Sequence, residues 1–402
     1  MVNNVSLPVV ETQGTSTAEP LAKALPTIGA AATLAPPAPT PERLASLDAF
    51  RGFIMFWIIG GEGLIAGLQA LGHNRIIDAI VYELNHTPWQ GLRFYDCIWP
   101  SFMLMVGLSI PLSFAKRSLT QTYRQQLGHA LRRAAVLFLL GSVRESVSLG
   151  SPYLVELSSA LQPIAIAYLV AFLIVRKSWR FQASVGALIL AGYAFLLAFV
   201  PAPGIAAGTY ALNLNLVHYV DIALLGQRHW DIWPYAPEGW GTVLSTIPTI
   251  STTLLGLLLG ELLMSSRRKQ IKTRLIGEIG LSCLALGYIL SPFVPIVMKL
   301  WTTSYGLVTA GWACLMFLFF YWVIDVRACS KWSFPLAVIG ANAIFIYMFR
   351  SLIHLGSIVG VFTHGIARLL PRSEVLVQEV AVLAVEWIIL FWMYRRRIFI
   401  KA

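Results

Sequence analysis

Residues 302–324 read TTSYGLVTAGWACLMFLFFYWVI and contain no charged side chain. An apolar run of this length matches the hydrocarbon core of a bilayer, which a helix of about 20 residues crosses. Similar runs recur along the chain, and charged residues make up 12% of its composition, whereas soluble domains carry about 25%. Because the runs are continuous rather than alternating, the sequence predicts an all-α, polytopic integral membrane protein and not a β-barrel.

We expect about ten transmembrane helices. The apolar windows lie at 45–70, 94–115, 131–149, 157–175, 181–200, 242–264, 275–297, 302–324, 334–353 and 374–394. A further window at 355–370 is short and suits an interfacial or re-entrant helix. Of the 30 Lys and Arg residues, 22 fall on one side of this arrangement, which includes both chain ends. The positive-inside rule therefore predicts that both termini are cytoplasmic.

The composition divides the chain into two predicted regions. Residues 1–42 are rich in Pro and Ala and predict a disordered cytoplasmic tail, and residues 43–402 form the predicted membrane domain. The net charge of +11 is explained by the topology of the loops, so we expect the lipid bilayer and not nucleic acid as the partner. The four cysteines are scattered, and their spacing predicts no metal site.

The stretch His86-Thr87-Pro88-Trp89-Gln90-Gly91-Leu92, followed by Asp96, lies on the predicted outer side, at the mouth of a helix. An imidazole in such a place is typical of acid–base chemistry, proton conduction or ligand binding. Glu62 lies about 16 Å up an ideal helix from Arg51, toward the same side. We expect Asp96 or Glu62 to orient His86 as a catalytic group. The alternatives are that His86 and Asp96 cap a helix and that Glu62 reaches the interface.

Other polar residues interrupt the apolar windows. Asp48 and Arg51 are three positions apart, on one helix face, so they either pair with each other or face an anionic cofactor from the cytoplasm. The remaining candidates are Gln162 for the cofactor and Trp89, Lys299, Trp301 and Asn342 for the substrate. The alternatives for these are an aromatic belt residue at Trp89 and polar contacts between helices elsewhere.

Two motifs resemble a known family. RLASLDAFRG at 43–52 and the pattern His86-x-x-Trp89-x-Gly91, with Asp96 after it, are similar to the heparan-alpha-glucosaminide N-acetyltransferase family and its bacterial relatives. Weaker likenesses follow in the same order at 237–248, 255–260, 299–305, 323–326 and 340–347. The resemblance covers residues 43 to 400, and it depends on the order of the motifs more than on any one of them.

The resemblance implies a transmembrane acyltransferase in a bacterial inner membrane. Its members move acetyl from cytoplasmic acetyl-CoA to an amino sugar on the far side, so a glycan or amino sugar is the implied acceptor. The family's active-site histidine falls on His86 and its following aspartate on Asp96, and animal members carry Asn at the position of Glu62. The chain departs from the family where Pro163 and Ile222 replace arginines that are common there.

Two other functions remain as alternatives at this point. One is a transporter of sugars or small metabolites, in which His86, Glu62 and Asp96 relay protons or bind substrate. The other is a membrane scaffold without catalysis. The sequence leaves open whether the chain forms a homodimer and whether an acyl group passes directly to the acceptor or through His86.

Overall fold

The structure is a computed structural model that describes residues 44–150, 157, 160–226, 243–369 and 372–400. The predicted disordered tail at 1–42 and the motif at 237–242 lie outside these residues. The described part is built of helices joined by short connections. The helices are α1 (Ala45–Ala70), α2 (Arg75–Leu84), α3 (Ile98–Ser118), α4 (Tyr123–Leu149), α5 (Leu161–Ile174), α6 (Trp179–Phe199), α7 (Leu216–Asp221), α8 (Val243–Met264), α9 (Lys269–Leu290), α10 (Thr303–Phe320), α11 (Phe334–Ala341), α12 (Ala343–Leu352), α13 (Leu355–Leu369) and α14 (Glu374–Arg395).

Short irregular elements connect them. A 3-10 turn, Tyr95–Cys97, precedes α3, and a π-helical turn, Tyr321–Val326, continues α10. Two antiparallel strands, β1 (Tyr210–Ala211) and β2 (Leu214–Asn215), form a small hairpin between α6 and α7.

Several helix ends are stabilised by side chains. Thr122 and Gln125 form a capping box at the start of α4, with each side chain bonded to the other residue's backbone N–H. The start of α1 is capped from a distance, because Asp325 Oδ2 accepts a hydrogen bond from Ser46 N at 3.3 Å. This bond ties the beginning of α1 to the π-helical turn after α10.

The apolar core lies among α1, α3, α8 and α10, and its largest fully buried side chains include Phe50, Phe317, Met103 and Leu254. Polar side chains inside the bundle mostly bond to nearby carbonyl groups, such as Ser109 to Met105 O at 2.7 Å. This satisfies their hydrogen-bonding capacity where water is excluded.

Seven helices of the described part are long and apolar enough to cross a bilayer, or eight if α11 and α12 form one bent span. These two helices meet at Asn342 with a bend of 61°. The expected count of about ten is not confirmed. Two predicted windows, 131–149 and 157–175, account for the difference. The first lies in α4, which carries charged residues along its length, and the second corresponds to α5, which at 14 residues is too short to count as a span. The 355–370 window forms α13, a shorter helix that does not count as a span.

Helices α3 and α8 approach each other closely at two glycines. A Cβ atom added to Gly256 would lie 2.1 Å from Leu104 O, and one added to Gly107 would lie 2.0 Å from Thr253 O. Both obstacles are backbone atoms, which cannot rotate away. The two glycines therefore set the distance between the helices, as small residues do in membrane bundles.

We predict that Gly256→Ala lowers the stability of the bundle by about 3 kcal/mol, because overpacking typically costs 1–3 kcal/mol and here the helices must separate. Thermal unfolding in detergent measures this effect. Gly192→Ala is the matched control, since a Cβ there meets nothing within 4 Å and alanine favours a helix. Equal unfolding temperatures for the two variants would contradict the prediction.

Candidate functional site

A buried carboxylate pairs with an imidazole in the segment between α2 and α3. His86 Nδ1 lies 2.8 Å from Asp96 Oδ1. The Asp96 side chain is fully buried, whereas the His86 side chain is 42% exposed. Because an ionised carboxylate only accepts hydrogen bonds, His86 Nδ1 is the donor, and the lone pair of the neutral ring is then on Nε2. This is the geometry of a histidine that can accept a proton from a substrate.

Other donors compensate the buried charge of Asp96. Thr87 Oγ1 donates to Asp96 Oδ2 at 2.7 Å, and Arg93 N donates to the same oxygen at 2.9 Å. Thr87 N adds a longer bond of 3.3 Å. The Arg93 guanidinium donates to His86 O at 3.0 Å. The carboxylate is therefore satisfied on both oxygens, and the loop that carries His86 is folded around it.

The surrounding helices hold this loop in place. The His86 ring packs against Tyr95, with 4.8 Å between the ring centres. Tyr95 Oη donates to Trp57 O of α1 at 3.2 Å. Tyr305 Oη of α10 donates to Asp96 O at 2.7 Å, and Gly91 N donates to Ile296 O at 2.9 Å. The imidazole is thus fixed relative to α1, α10 and the turn after α9.

A cavity of about 310 Å³ lies at the other end of α1, where α1 begins and α3 ends. Three arginines line it: Arg51, Arg117 and Arg133. Arg51 Nε contacts Met105 Sδ at 3.3 Å, and Arg51 Nη1 lies 3.7 Å from Asp48 Oδ1. Arg133 lies over the ring of Tyr168, and its buried Nε finds no hydrogen-bond partner among the described residues. We call this the arginine cavity.

Further cavities adjoin the arginine cavity along α1. A small apolar neck shares four lining residues with it: Phe102, Leu161, Ile164 and Ile344. Trp99 also lines the neck. Beyond the neck is a polar cavity of about 270 Å³, which shares Ile58 and Tyr347 with the neck. Its charged lining residues are Glu62, Arg144 and Arg350. The arginine cavity, the neck and the polar cavity therefore form a continuous row along α1, from Arg51 to Glu62.

The predicted catalytic residues separate into two places. Asp96 hydrogen-bonds to His86, as described above. Glu62 instead lines the polar cavity beside Arg144 and Arg350. Of the predicted cofactor residues, Arg51 lines the arginine cavity, and Asp48 is its neighbour on the same helix face. Gln162 ties helices together, since its Nε2 donates to Ser142 Oγ at 2.9 Å.

The predicted substrate residues are mostly engaged with the protein itself. Trp89 Nε1 donates to Tyr210 O at 2.8 Å, so it anchors the hairpin after α6. The amide of Asn342 holds the C-terminal segment through Ile398 O at 3.0 Å and Ile400 N at 2.9 Å. Lys299 and Trp301 are both buried in the turn before α10.

The backbone of Trp301 is strained. Its φ is 46°, in the left-handed region, which is unfavourable for a bulky residue. Its ring packs edge-on against Trp99 of the neck at 5.0 Å and against Tyr305 at 5.4 Å. Trp301 therefore lies between the neck and the tyrosine that binds Asp96, which links the two parts of the site.

Sequence reasoning missed several residues. Arg117 and Arg133 belong to the basic residues that indicate topology, and nothing in their spacing indicates that they share a cavity with Arg51. Thr87 and Tyr305, which bond to Asp96, also carried no signal. Within the described ranges, no group of three or more His, Cys, Asp or Glu side chains could hold a metal ion.

Comparison with known proteins gives two relatives. The chain is 25% identical to human heparan-alpha-glucosaminide N-acetyltransferase over 425 residues and 25% identical to the mouse protein over 422 residues. Each alignment covers 90% of this chain and 60% of the relative's length. No family model matches the chain. The resemblance inferred from the motifs is confirmed: over most of its length the chain is similar, as a distant relative, to heparan-alpha-glucosaminide N-acetyltransferase.

Proposed function

We propose that the protein is a transmembrane acyltransferase of a bacterial inner membrane, with both termini in the cytoplasm. It takes an acetyl group from a cytoplasmic thioester, acetyl-CoA, and delivers it to an amino sugar or envelope glycan on the outer side. The observation that carries the proposal is the His86–Asp96 pair, in which a fully buried carboxylate orients a partly exposed imidazole. The names of the relatives support acetyl transfer.

His86 acts as the general base. As the acceptor amine or hydroxyl attacks the thioester carbonyl, His86 Nε2 takes its proton. The new C–N or C–O bond forms, the C–S bond breaks, and the imidazolium returns the proton to the leaving thiolate. Asp96 keeps the ring in the required tautomer and stabilises the imidazolium, as the carboxylate of a catalytic triad does. A covalent acyl-His86 intermediate is the alternative route, and ping-pong kinetics would identify it.

The arginine cavity suits the phosphates of the donor. Arginine binds phosphate with two parallel hydrogen bonds, and the buried Arg133 Nε is a donor without an acceptor among the described residues. Arg51, Arg117 and Arg133 supply cationic groups in a chain that has Pro163 and Ile222 where the family often has arginine. The neck and the polar cavity beyond it offer the thioester arm a path along α1.

We predict that His86→Ala reduces acetyl-CoA turnover and glucosamine acetylation by the purified protein by about 10²–10⁴-fold, the usual contribution of a general base. Asp96→Asn has a comparable effect, because an amide no longer enforces the tautomer. His73 and Asp78 provide the control: they form a similar pair at 3.0 Å, but it is exposed. His73→Ala and Asp78→Asn should leave turnover unchanged.

Two results would contradict this prediction. If the His86→Ala variant kept full activity and the wild-type unfolding temperature, His86 would not be the general base. If the wild-type protein neither turned over nor bound acetyl-CoA, acetyl-CoA would not be the donor. Solute uptake in proteoliposomes would then test the transporter alternative.

We predict that Arg133→Gln raises the KM for acetyl-CoA about ten-fold or more, because a charge-assisted bond to phosphate contributes ~1.5–3 kcal/mol. Acetyl-pantetheine lacks the phosphates of the nucleotide end, so its KM should be the same for Arg133→Gln and wild type. Arg132→Gln is the matched control, since Arg132 is the neighbouring exposed residue and is absent from the cavity lining. An equal loss with both donors would indicate a structural defect instead of a phosphate contact.

A further inference from the structure

A second polar cavity, of about 230 Å³, lies between the end of α12, the start of α13 and the middle of α14. We call it the Glu386 cavity. Its titratable lining residues are Arg350, His354, Glu379 and Glu386. The Arg350 guanidinium donates to Glu386 Oε1 at 3.1 Å and to Glu379 Oε2 at 3.0 Å. Two carboxylates therefore share one guanidinium in this wall.

Glu386 is the unusual member of the cavity. Its side chain is 1% exposed, and its second oxygen, Oε2, has no hydrogen-bond donor in the part of the chain that the structure describes. A buried carboxylate oxygen without a donor is costly in an apolar environment. Glu386 therefore brings to the wall of the cavity a carboxylate with one oxygen that lacks a donor among the described residues.

The Glu386 cavity lies on the opposite face of α1 from His86. A Cβ atom on Gly61 would meet Tyr95, the ring that packs against His86, whereas a Cβ atom on Gly63 would meet the Glu379 carboxylate. Two positions along a helix correspond to a rotation of about 200°. The cavity is therefore separate from the His86 site, although Arg350 lines both it and the polar cavity that contains Glu62.

The charges that line the Glu386 cavity determine the charge of the ligand that it can bind. The lining holds two carboxylates for one guanidinium, and the adjoining polar cavity adds one carboxylate, Glu62, and one guanidinium, Arg144. A cationic donor would satisfy Glu386 Oε2 and balance the excess negative charge. A cavity of this volume holds more than a single water molecule. We propose that the Glu386 cavity binds the ammonium group of a small primary amine, with Glu386 and Glu379 as its acceptors.

Two sources can supply this ammonium group. One is a free amine from the aqueous phase on the outer side. The other is the ethanolamine headgroup of a phospholipid, since α13, which lines the cavity, also carries the exposed apolar side chains Ile358, Val361 and Phe362. The chemistry at Glu386 is the same in both cases, so the experiment separates the sources.

The test uses the full chain in detergent without a thioester. We expect ethanolamine, but not ethylene glycol, to raise the unfolding temperature in a saturable way, with the same apparent affinity in His86→Ala. Glu386→Gln should weaken this binding ten-fold or more, whereas Glu374→Gln, on the same helix outside the cavity lining, should not. In a second arm, nanodiscs with and without phosphatidylethanolamine are compared. Stabilisation by this lipid alone, again lost in Glu386→Gln, would identify the headgroup as the source.

A second variant guards against misfolding of Glu386→Gln. Ser357→Phe fills the cavity from its exposed edge without changing a charge, and it should also abolish the effect of the amine. The proposal fails if neither amine source stabilises the wild type, or if Glu386→Gln and Ser357→Phe respond as the wild type does. Because no acyl donor is present, these outcomes are independent of whether His86 catalyses acyl transfer.

Discussion

The buried carboxylate of Asp96 determines the geometry of the loop between α2 and α3, which carries His86. A charge that is fully removed from solvent needs several hydrogen-bond donors, and here His86, Thr87 and Arg93 provide them from one short loop. The loop has to fold around the carboxylate to do so. The Asp96 carbonyl in turn accepts from Tyr305, which attaches the loop to α10. The orientation of the imidazole is thus a consequence of satisfying one buried charge.

Other buried charges in the bundle also need hydrogen-bond partners, but two of them have a polar atom that lacks one among the described residues. In the Glu386 cavity, Arg350 serves two carboxylates and leaves one carboxylate oxygen without a donor among the described residues. In the arginine cavity, the buried Nε of Arg133 is the group that lacks a partner. An anionic side chain and a cationic side chain, each with a buried atom that lacks a partner among the described residues, therefore lie at different places along the bundle. Since such groups are costly inside a membrane, both are places where a ligand of complementary charge gains the most.

The sequence predicted the parts of this site that lie close together in the chain. His86 and Asp96 are ten positions apart on either side of a turn, so their pairing could be expected from one loop. The rise of a helix gives the distance of Glu62 from Arg51 along α1, but the direction of its side chain depends on how α1 packs against α12. The contacts of Gln162, Trp89 and Asn342 could not be predicted for the same reason. Their partners, Ser142, Tyr210 and Ile398, come from other elements. The arginine cavity joins three helices whose spacing in the chain carries no information about their contact.

The role of α1 explains how the separate parts can act together. Its first turns contribute Arg51 to the arginine cavity, and its later turns contribute Glu62 to the polar cavity. Gly61 lets Tyr95 approach on one face, and Gly63 lets Glu379 approach on the opposite face. A side chain at either glycine would displace its neighbour, and with it either the ring against His86 or the carboxylate bound to Arg350. A single helix therefore sets the distances between the arginine cavity, the imidazole and the Glu386 cavity, so a shift of α1 on binding a ligand at one of them would change the geometry of the others.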